Sequence, residues 1–283
     1  MRTTLALATT TVTAVTMLSL AACGSGSDTA EVANCTPAHQ FSTIAEGTLT
    51  VSVFDLPPFT KVEQGKITGV DGELLDEIAK RECLTVTATP MDAPGVIPAV
   101  QNGRADVAAG DWYRTEARAK VVTLSAPMYT DQMGIISADG TTSIPSLKGK
   151  QVGTVDGYLW VEDLQKYLGA NLHTYPSSTA MWQDLQAGRI EIGVDSYASA
   201  TYVNKNTAQN KFKIAIAAAE DAVAASKEAA QSAFPTSKAN SALSQAIDAD
   251  IAAMKQDGTI ARILQNNGLD ASAADTGDPR LIP

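Results

Sequence analysis

Histidine is nearly absent from this chain: its 283 residues hold His39 and His173, far apart in sequence, and no other. That leaves little raw material for a histidine-rich metal centre or for a Ser-His-Asp nucleophile. Cysteine is as scarce, with Cys23, Cys35 and Cys83. Basic charge is thin. Twenty-one Lys and Arg stand against 31 Asp and Glu, and no Lys/Arg block occurs. The formal charge of -10 and pI near 4.7 argue against a nucleic-acid partner, whose binders concentrate a basic face on the phosphates. What is present is ordinary for a globular protein: 45% hydrophobic residues and a mean hydropathy of -0.03, enough to bury a core in one large or two medium domains.

The opening stretch "MRTTLALATTTVTAVTMLSLAAC" starts with one Arg, runs through uncharged Thr, Ala and Leu, and closes on small residues, the layout of an export signal. A membrane anchor is the alternative, although the Thr load makes the span weakly apolar. "GSGSDTAEVAN" (24–34) reads as a flexible polar tether.

The folded part begins with "LTVSVF", a strand stopped by "DLPPF". "VDGELLDEIAKREC" follows, with Val70, Leu74, Leu75, Ile78 and Ala79 on one helical face and acids near its start. "LTVTAT" predicts a strand, "GVIPAVQNG" a short helix ending at Gly103, and "ADVAA" a buried strand. Beyond "GTTSIPSLKGK" the alternation resumes: strand "QVGTV", helix "YLWVEDLQKYLG", strand "LHTY", helix "STAMWQDLQAG", strand "IEIGV", helix "YASATYVNK", strand "KFKIAIA". A short strand "QSAF" and Ala-rich helices close the chain before a tail, "DASAADTGDPRLIP", without periodicity. Strands alternating with helices predict parallel α/β layers.

The chain repeats itself. "QNGRADVAAGD" (101–111) and "QAGRIEIGVDS" (186–196) share Gln, Gly, Arg, an acid and a β-branched residue in order, and each brings an Asp, Asp111 or Asp195, to the end of its strand. Helix-Gly-strand punctuation of any α/β protein is one explanation; two related lobes is the other. Open α/β sheets bind ligands at the carboxyl ends of their strands, where both aspartates fall. After the first copy comes "GDWYRTEARAK", crowded with ligand-capable groups. Arg118 offers a planar fork for a carboxylate, Asp111 and Asp195 accept from an ammonium group, and Trp112 and Tyr113 present flat faces that favour cations. Together they suit a small zwitterion, whereas singly each could be a solvated Arg or a helix N-cap.

Two resemblances extend this reading. "LAAC" (20–23) resembles the bacterial lipobox, which implies lipidation of Cys23 after removal of residues 1–22 and a protein held at the outer face of the cell membrane. With Cys23 so assigned, Cys35 and Cys83 remain, and in an exported protein a leftover pair is most simply a disulfide, free buried thiols being the alternative. The ordered set "LTVSVFDLPPF", "GKITGVDGELLDEIAKR", "VIPAVQNGRADVAAG", "TEARAKVVTLSAPMY", "LKGKQVGTVDG", "LQAGRIEIGVDS" and "DGTIARILQNNG" resembles the amino-acid type (family 3) extracellular solute-binding proteins of ABC importers, from about residue 48 to 268.

That second resemblance implies an α/β fold of the periplasmic-binding-protein type II class: a flytrap of two lobes joined by two crossover hinge segments. They would fall near residues 135–138 and 229–234, with 23–47 as lipidated Cys and tether, 48–137 plus 230–283 as the first lobe, and 138–229 as the second. It makes Arg118 of "TEAR" the clamp for the ligand's α-carboxylate. Gly110 and Asp111 fall in the adjoining loop, Gly157 and Tyr158 of "VDGYL" add carboxylate contacts, and Phe54, Asp55 and Phe59 of the first motif complete the cleft. Asp195 lies near the family's acid for the α-amino group, one position early, with Ser196 at the expected place. Other departures are an extra residue before "TEAR", Leu56 where an aromatic is usual, and Tyr158 for Thr or Ser; Asp111 could hold the amino group instead. The implied partners are an amino acid or related amine and an ABC permease, for a membrane-anchored monomer needing no cofactor and no metal. A flytrap-fold enzyme such as a cyclohexadienyl-type dehydratase, or a ligand-sensing module, is the alternative.

Overall fold

The computed structural model describes residues 35–283; the export signal, Cys23 and the first part of the tether lie outside them. Strand β1 (Thr48–Val53) leads into α1 (Val70–Arg81), β2 (Thr85–Pro90), α2 (Ala93–Gln101) and β3 (Val107–Ala109). Short strands β4 (Trp112–Tyr113) and β5 (Thr123–Leu124) flank α3 (Glu116–Val121). Then come β6 (Thr130–Asp131), β7 (Met133–Ser137), β8 (Val152–Val155), α4 (Val161–Leu168), β9 (Leu172–Tyr175), α5 (Ser178–Gln186), β10 (Ile192–Ser196), α6 (Tyr197–Asn206) and β11 (Lys213–Ile216). The chain continues through β12 (Ala230–Ala233), β13 (Pro235–Thr236), α7 (Ser241–Gln256) and α8 (Thr259–Asn266).

Two five-stranded sheets result, in the orders β2-β1-β3-β13-β5 and β9-β8-β10-β7-β11. Each has three parallel strands in which the second and third flank the first, followed by an antiparallel strand. The sequence repeat is the signature of this shared plan, because β3 and β10 occupy the same place in the two sheets. Both copies turn on a left-handed glycine, Gly103 at φ 66 and Gly188 at φ 72, which closes the preceding helix where a side chain would strain the backbone. Asp106 N–H then donates to Thr50 O, and Glu191 N–H to Gln151 O, each at 2.8 Å.

Apolar residues follow the pattern the sequence predicts. Val70, Leu74, Leu75 and Ile78 of α1 are buried against the first sheet, in one core with Leu49, Val51 and Val107. In the second sheet neighbouring residues of β7 point to opposite faces, so Ile135 packs with Val152 and Val194 while Ile136 packs with Met181 and Leu185.

Two passages of chain join the sheets side by side. β12 pairs antiparallel with β6 (Ala230 with Asp131) and with β4 (Ala233 with Trp112). All of β7 belongs to the second sheet, so the first passage falls near Thr130, ahead of the expected 135–138, and the second runs through β12. The expected tether also ends earlier than residue 47. Cys35 is disulfide-bonded to Cys83, Ala38 N–H donates to Arg81 O at 3.2 Å, and Ile44 N–H donates to the Asp106 carboxylate at 2.9 Å. These anchors fix a polar segment that has no periodicity to announce them.

The aperiodic tail is fastened as well. Gln231 on β12 donates to the carbonyls of Thr276 and Asp278, both at 2.8 Å, and Ile282, 3% exposed, exchanges backbone bonds with Arg114 and Glu116.

Candidate functional site

Loops from the carboxyl ends of β1, β3, β8 and β10 converge between the two sheets. Gly110 sits at φ 128, and a Cβ there would run into the Phe54 ring, so only glycine lets the β3 loop pack against it. The following residue is also left-handed: Asp111 has φ 53. Asp71, in the first turn of α1, holds this turn by accepting Gly110 N–H at 2.8 Å and Asp111 N–H at 3.0 Å through one oxygen and the Tyr129 hydroxyl at 2.6 Å through the other. Burial pushes the Asp71 carboxyl up, and those bonds oppose the shift.

"TEAR" is built from its own residues. Thr115 caps α3, its hydroxyl accepting Arg118 N–H at 3.1 Å, which fixes the backbone from which Arg118 projects. The guanidinium lies over the Trp112 ring, 4.7 Å from its centroid, and donates to Tyr113 O at 2.8 Å and Gly157 O at 3.2 Å. It therefore bridges loops of both sheets. No carboxylate among the described residues lies within ion-pair distance of it. Enclosure lowers its pKa to about 10, a shift that the nearby Asp111 partly offsets.

Asp111 is the counterpart in this chamber. It is 6% exposed, and its Oδ1 is buried without a hydrogen-bond partner. Burial first, then the charges of Asp131 and Asp71, push its carboxyl well above the usual range. Asp131 is itself buried, accepting the Tyr113 hydroxyl at 2.8 Å. Two further buried aspartates, Asp71 and Asp131, thus stand beside Asp111, whose own charge acts on Arg118.

An aromatic wall closes the chamber. Phe54 meets Trp112 at 5.5 Å and Tyr158 at 6.3 Å between centroids; Tyr158 meets Trp160 at 5.4 Å, edge to face. The side chains leave a volume of about 20 Å³, room for one water, so any solute beside Arg118 must part the two sheets or displace rings.

A family description, bacterial extracellular solute-binding proteins, family 3, matches residues 49–269. The chain belongs to this family. It is 28% identical over 211 residues, 72% of this chain and 76% of the relative, to the L-cystine-binding protein TcyJ of Escherichia coli (strain K12). Among solved structures it resembles an ancestral arginine-binding protein bound to arginine, at 30% identity and a TM-score of 0.69, over 78% of this chain and 98% of that one. It also resembles the amino acid ABC transporter substrate-binding protein AbpA of Streptococcus pneumoniae Canada MDR_19A bound to L-arginine, at 27% identity and a TM-score of 0.68, over 81% and 96%. The protein is an extracytoplasmic solute-binding protein with the two-lobed α/β fold of its family, and no helix among the described residues is long and apolar enough to cross a membrane.

For this solute-binding protein the sequence-derived residues divide into two groups. Phe54, Gly110, Asp111, Trp112, Tyr113, Arg118, Tyr158 and Ser196 line the chamber, and Gly157 touches it through the carbonyl that Arg118 binds. Asp195, Asp55 and Phe59 do not line it. In the aligned repeat Asp195 matches Gly110, while Ser196 matches Asp111; alternation along the strand therefore turns Ser196 inward and Asp195 away. Asp195 is fully buried, accepting the Ser178 hydroxyl at 2.6 Å and Ser196 N–H at 2.9 Å, and burial pushes its carboxyl up to about 6. Asp55 is exposed and accepts Val62 N–H at 2.9 Å. Phe59 stacks on Tyr129 with ring centroids 5.3 Å apart and lines a separate, larger cavity of about 710 Å³.

Leu56, at the place where the family's first motif usually carries an aromatic, also lines the chamber, and Leu159 and Trp160 line it unannounced. The sequence predicts a helix from "YLW" onward, but α4 begins at Val161, leaving Tyr158, Leu159 and Trp160 in the loop; Trp160 is held there by donating to the Thr154 hydroxyl at 2.7 Å. Asp131 was missed because the passage between the sheets comes earlier than expected.

Proposed function

We propose that the protein captures an amino acid between its lobes and delivers it to an ABC permease at the outer face of the membrane. The observation that carries this reading is the pairing within one chamber of a guanidinium without a carboxylate partner and a buried aspartate oxygen without a donor. A zwitterion satisfies both: its carboxylate takes the Arg118 fork and its ammonium donates to Asp111. The surplus of buried carboxylates and the rings of Phe54, Trp112, Tyr158 and Trp160 favour a cationic side chain. Two similar structures hold arginine, and the E. coli relative is a cystine-binding protein. Arginine or lysine is therefore the preferred solute, glutamate the excluded one. The lobes turn about β6 and β12 to admit it. The protein acts by binding, not catalysis, as a monomer anchored by lipid on Cys23.

The test is a titration of the soluble mature protein, stripped of ligand by unfolding and refolding, with arginine, lysine, cystine and glutamate. A melting temperature raised by arginine or lysine and unmoved by glutamate supports the reading. A response to glutamate alone refutes it.

A further inference from the structure

Far from the chamber, three side chains outside the solute site meet on the first lobe. Glu82 follows α1 and its side chain is fully buried; it accepts the backbone N–H of His39 at 3.0 Å through Oε2 and lies 2.5 Å from His39 Nδ1 through Oε1. Asp250, in the middle of α7, is 3% exposed, and its Oδ2 is buried with no hydrogen-bond partner. One nitrogen and two carboxylate oxygens from these residues fall within 4.8 Å of one another. We propose that His39, Glu82 and Asp250 form a site for a divalent transition-metal ion, with zinc as its reference occupant.

The donor set decides the class of ion. An imidazole nitrogen with two carboxylates suits zinc and its neighbours, whereas calcium and magnesium prefer oxygen alone. Tetrahedral zinc at ~2.0–2.2 Å from each ligand places its ligands roughly 3.4 Å apart. His39 and Glu82 must separate slightly and the widest pair must draw in, motions of side chains rather than backbone. The His39 side chain is 39% exposed, which leaves an approach from solvent and a position for a water as fourth ligand.

Charge and tethering agree. A buried carboxylate oxygen with no donor is costly, and a metal ion coordinated there would remove that cost. Arg81 is the cation beside Asp250; its Nη2 is engaged by Asp257 at 3.2 Å, and one arginine does not neutralise two carboxylates. The Cys35–Cys83 disulfide and the Ala38 N–H bond to Arg81 O hold the segment so that His39 is presented to Glu82 before any ion arrives. An ion there would staple the start of the folded chain to α1 and α7 together.

The experiment uses the mature protein with its disulfide intact, freed of metal by a chelator and titrated with zinc chloride alone by calorimetry, with the melting temperature followed in parallel. One equivalent of zinc should bind and raise that temperature. Because removing even an outer-shell partner weakens metal sites by ~10–100-fold, losing a ligand in His39→Ala or Asp250→Asn should weaken binding at least about tenfold. His173→Ala, which removes the other histidine, should leave it unchanged. The absence of a zinc response in the native protein overturns the proposal, and so does a response that survives both His39→Ala and Asp250→Asn.

Discussion

Asp111→Asn is a two-sided test of the chamber. Asparagine has the size of aspartate and tolerates the φ of 53 found there, so the loop should keep its shape. In the absence of solute the change removes a carboxylate that burial, Asp131 and Asp71 all oppose. It also gives the position an amide able to donate toward Asp131. Relieving a poorly satisfied buried polar group stabilises by about 1–3 kcal/mol, and for a protein of this size each kcal/mol is ~2–4 °C in melting temperature. With solute the sign reverses. An ion pair between the ligand's ammonium and the carboxylate becomes a bond from the ammonium to an uncharged amide oxygen, costing about 1.5–3 kcal/mol, or ~10–150-fold in Kd for arginine. Differential scanning calorimetry of the stripped protein and isothermal titration with arginine read the two effects separately. A variant that melts lower and binds arginine as tightly as the parent would refute the assignment of Asp111 as an acceptor awaiting a cation.

Arg118→Ala should weaken arginine binding by ~30–150-fold, the equivalent of about 2–3 kcal/mol for a charge-assisted bond, measured by the same titration; unchanged affinity would remove the clamp from the mechanism. Gly110→Ala should disturb Phe54 and the Asp71-held turn, lowering both melting temperature and affinity, whereas an unchanged protein would show that the ring yields freely. Asp195 gives a pH signature. Its carboxyl rises from 3.8 to about 6 on folding, so the folded state holds the proton longer, and stability falls as pH climbs between about 4 and 6, by about 3 kcal/mol in all. Urea unfolding across that range should show the parent losing stability relative to Asp195→Asn as pH rises; parallel curves would mean that Asp195 titrates normally.

The sheets were legible in the sequence because their burial is periodic: the apolar face of α1 and the helix-Gly-strand repeat each leave a spacing that only one element satisfies. Arg118 was legible because it closes the short motif "TEAR", whose residues in the fold form a local unit, with Thr115 capping the helix that presents the arginine. What escaped is non-local. Asp71 reads as an acid in a helical first turn, yet its bonds reach 39 and 40 residues ahead to Gly110 and Asp111. Asp195 and Ser196 are neighbours whose roles divide on strand direction, which pairing with β7 and β8 settles. Asp131 and Trp160 lie where the periodicity lapses, and their positions depend on contacts with Tyr113 and Thr154 that no spacing encodes. The segment around His39 is irregular for the same reason.

The distribution of indole rings has a practical consequence. The chain has three tryptophans. Trp112 on β4 and Trp160 in the loop before α4 line the chamber, while Trp182 is 3% exposed in the separate core around Ile136, edge-on to Phe212. Entry of a solute must change the surroundings of the first two and leave the third as a constant background. The protein is thus its own optical reporter: intrinsic emission, excited near the red edge of the indole band, should follow capture in real time without any attached dye.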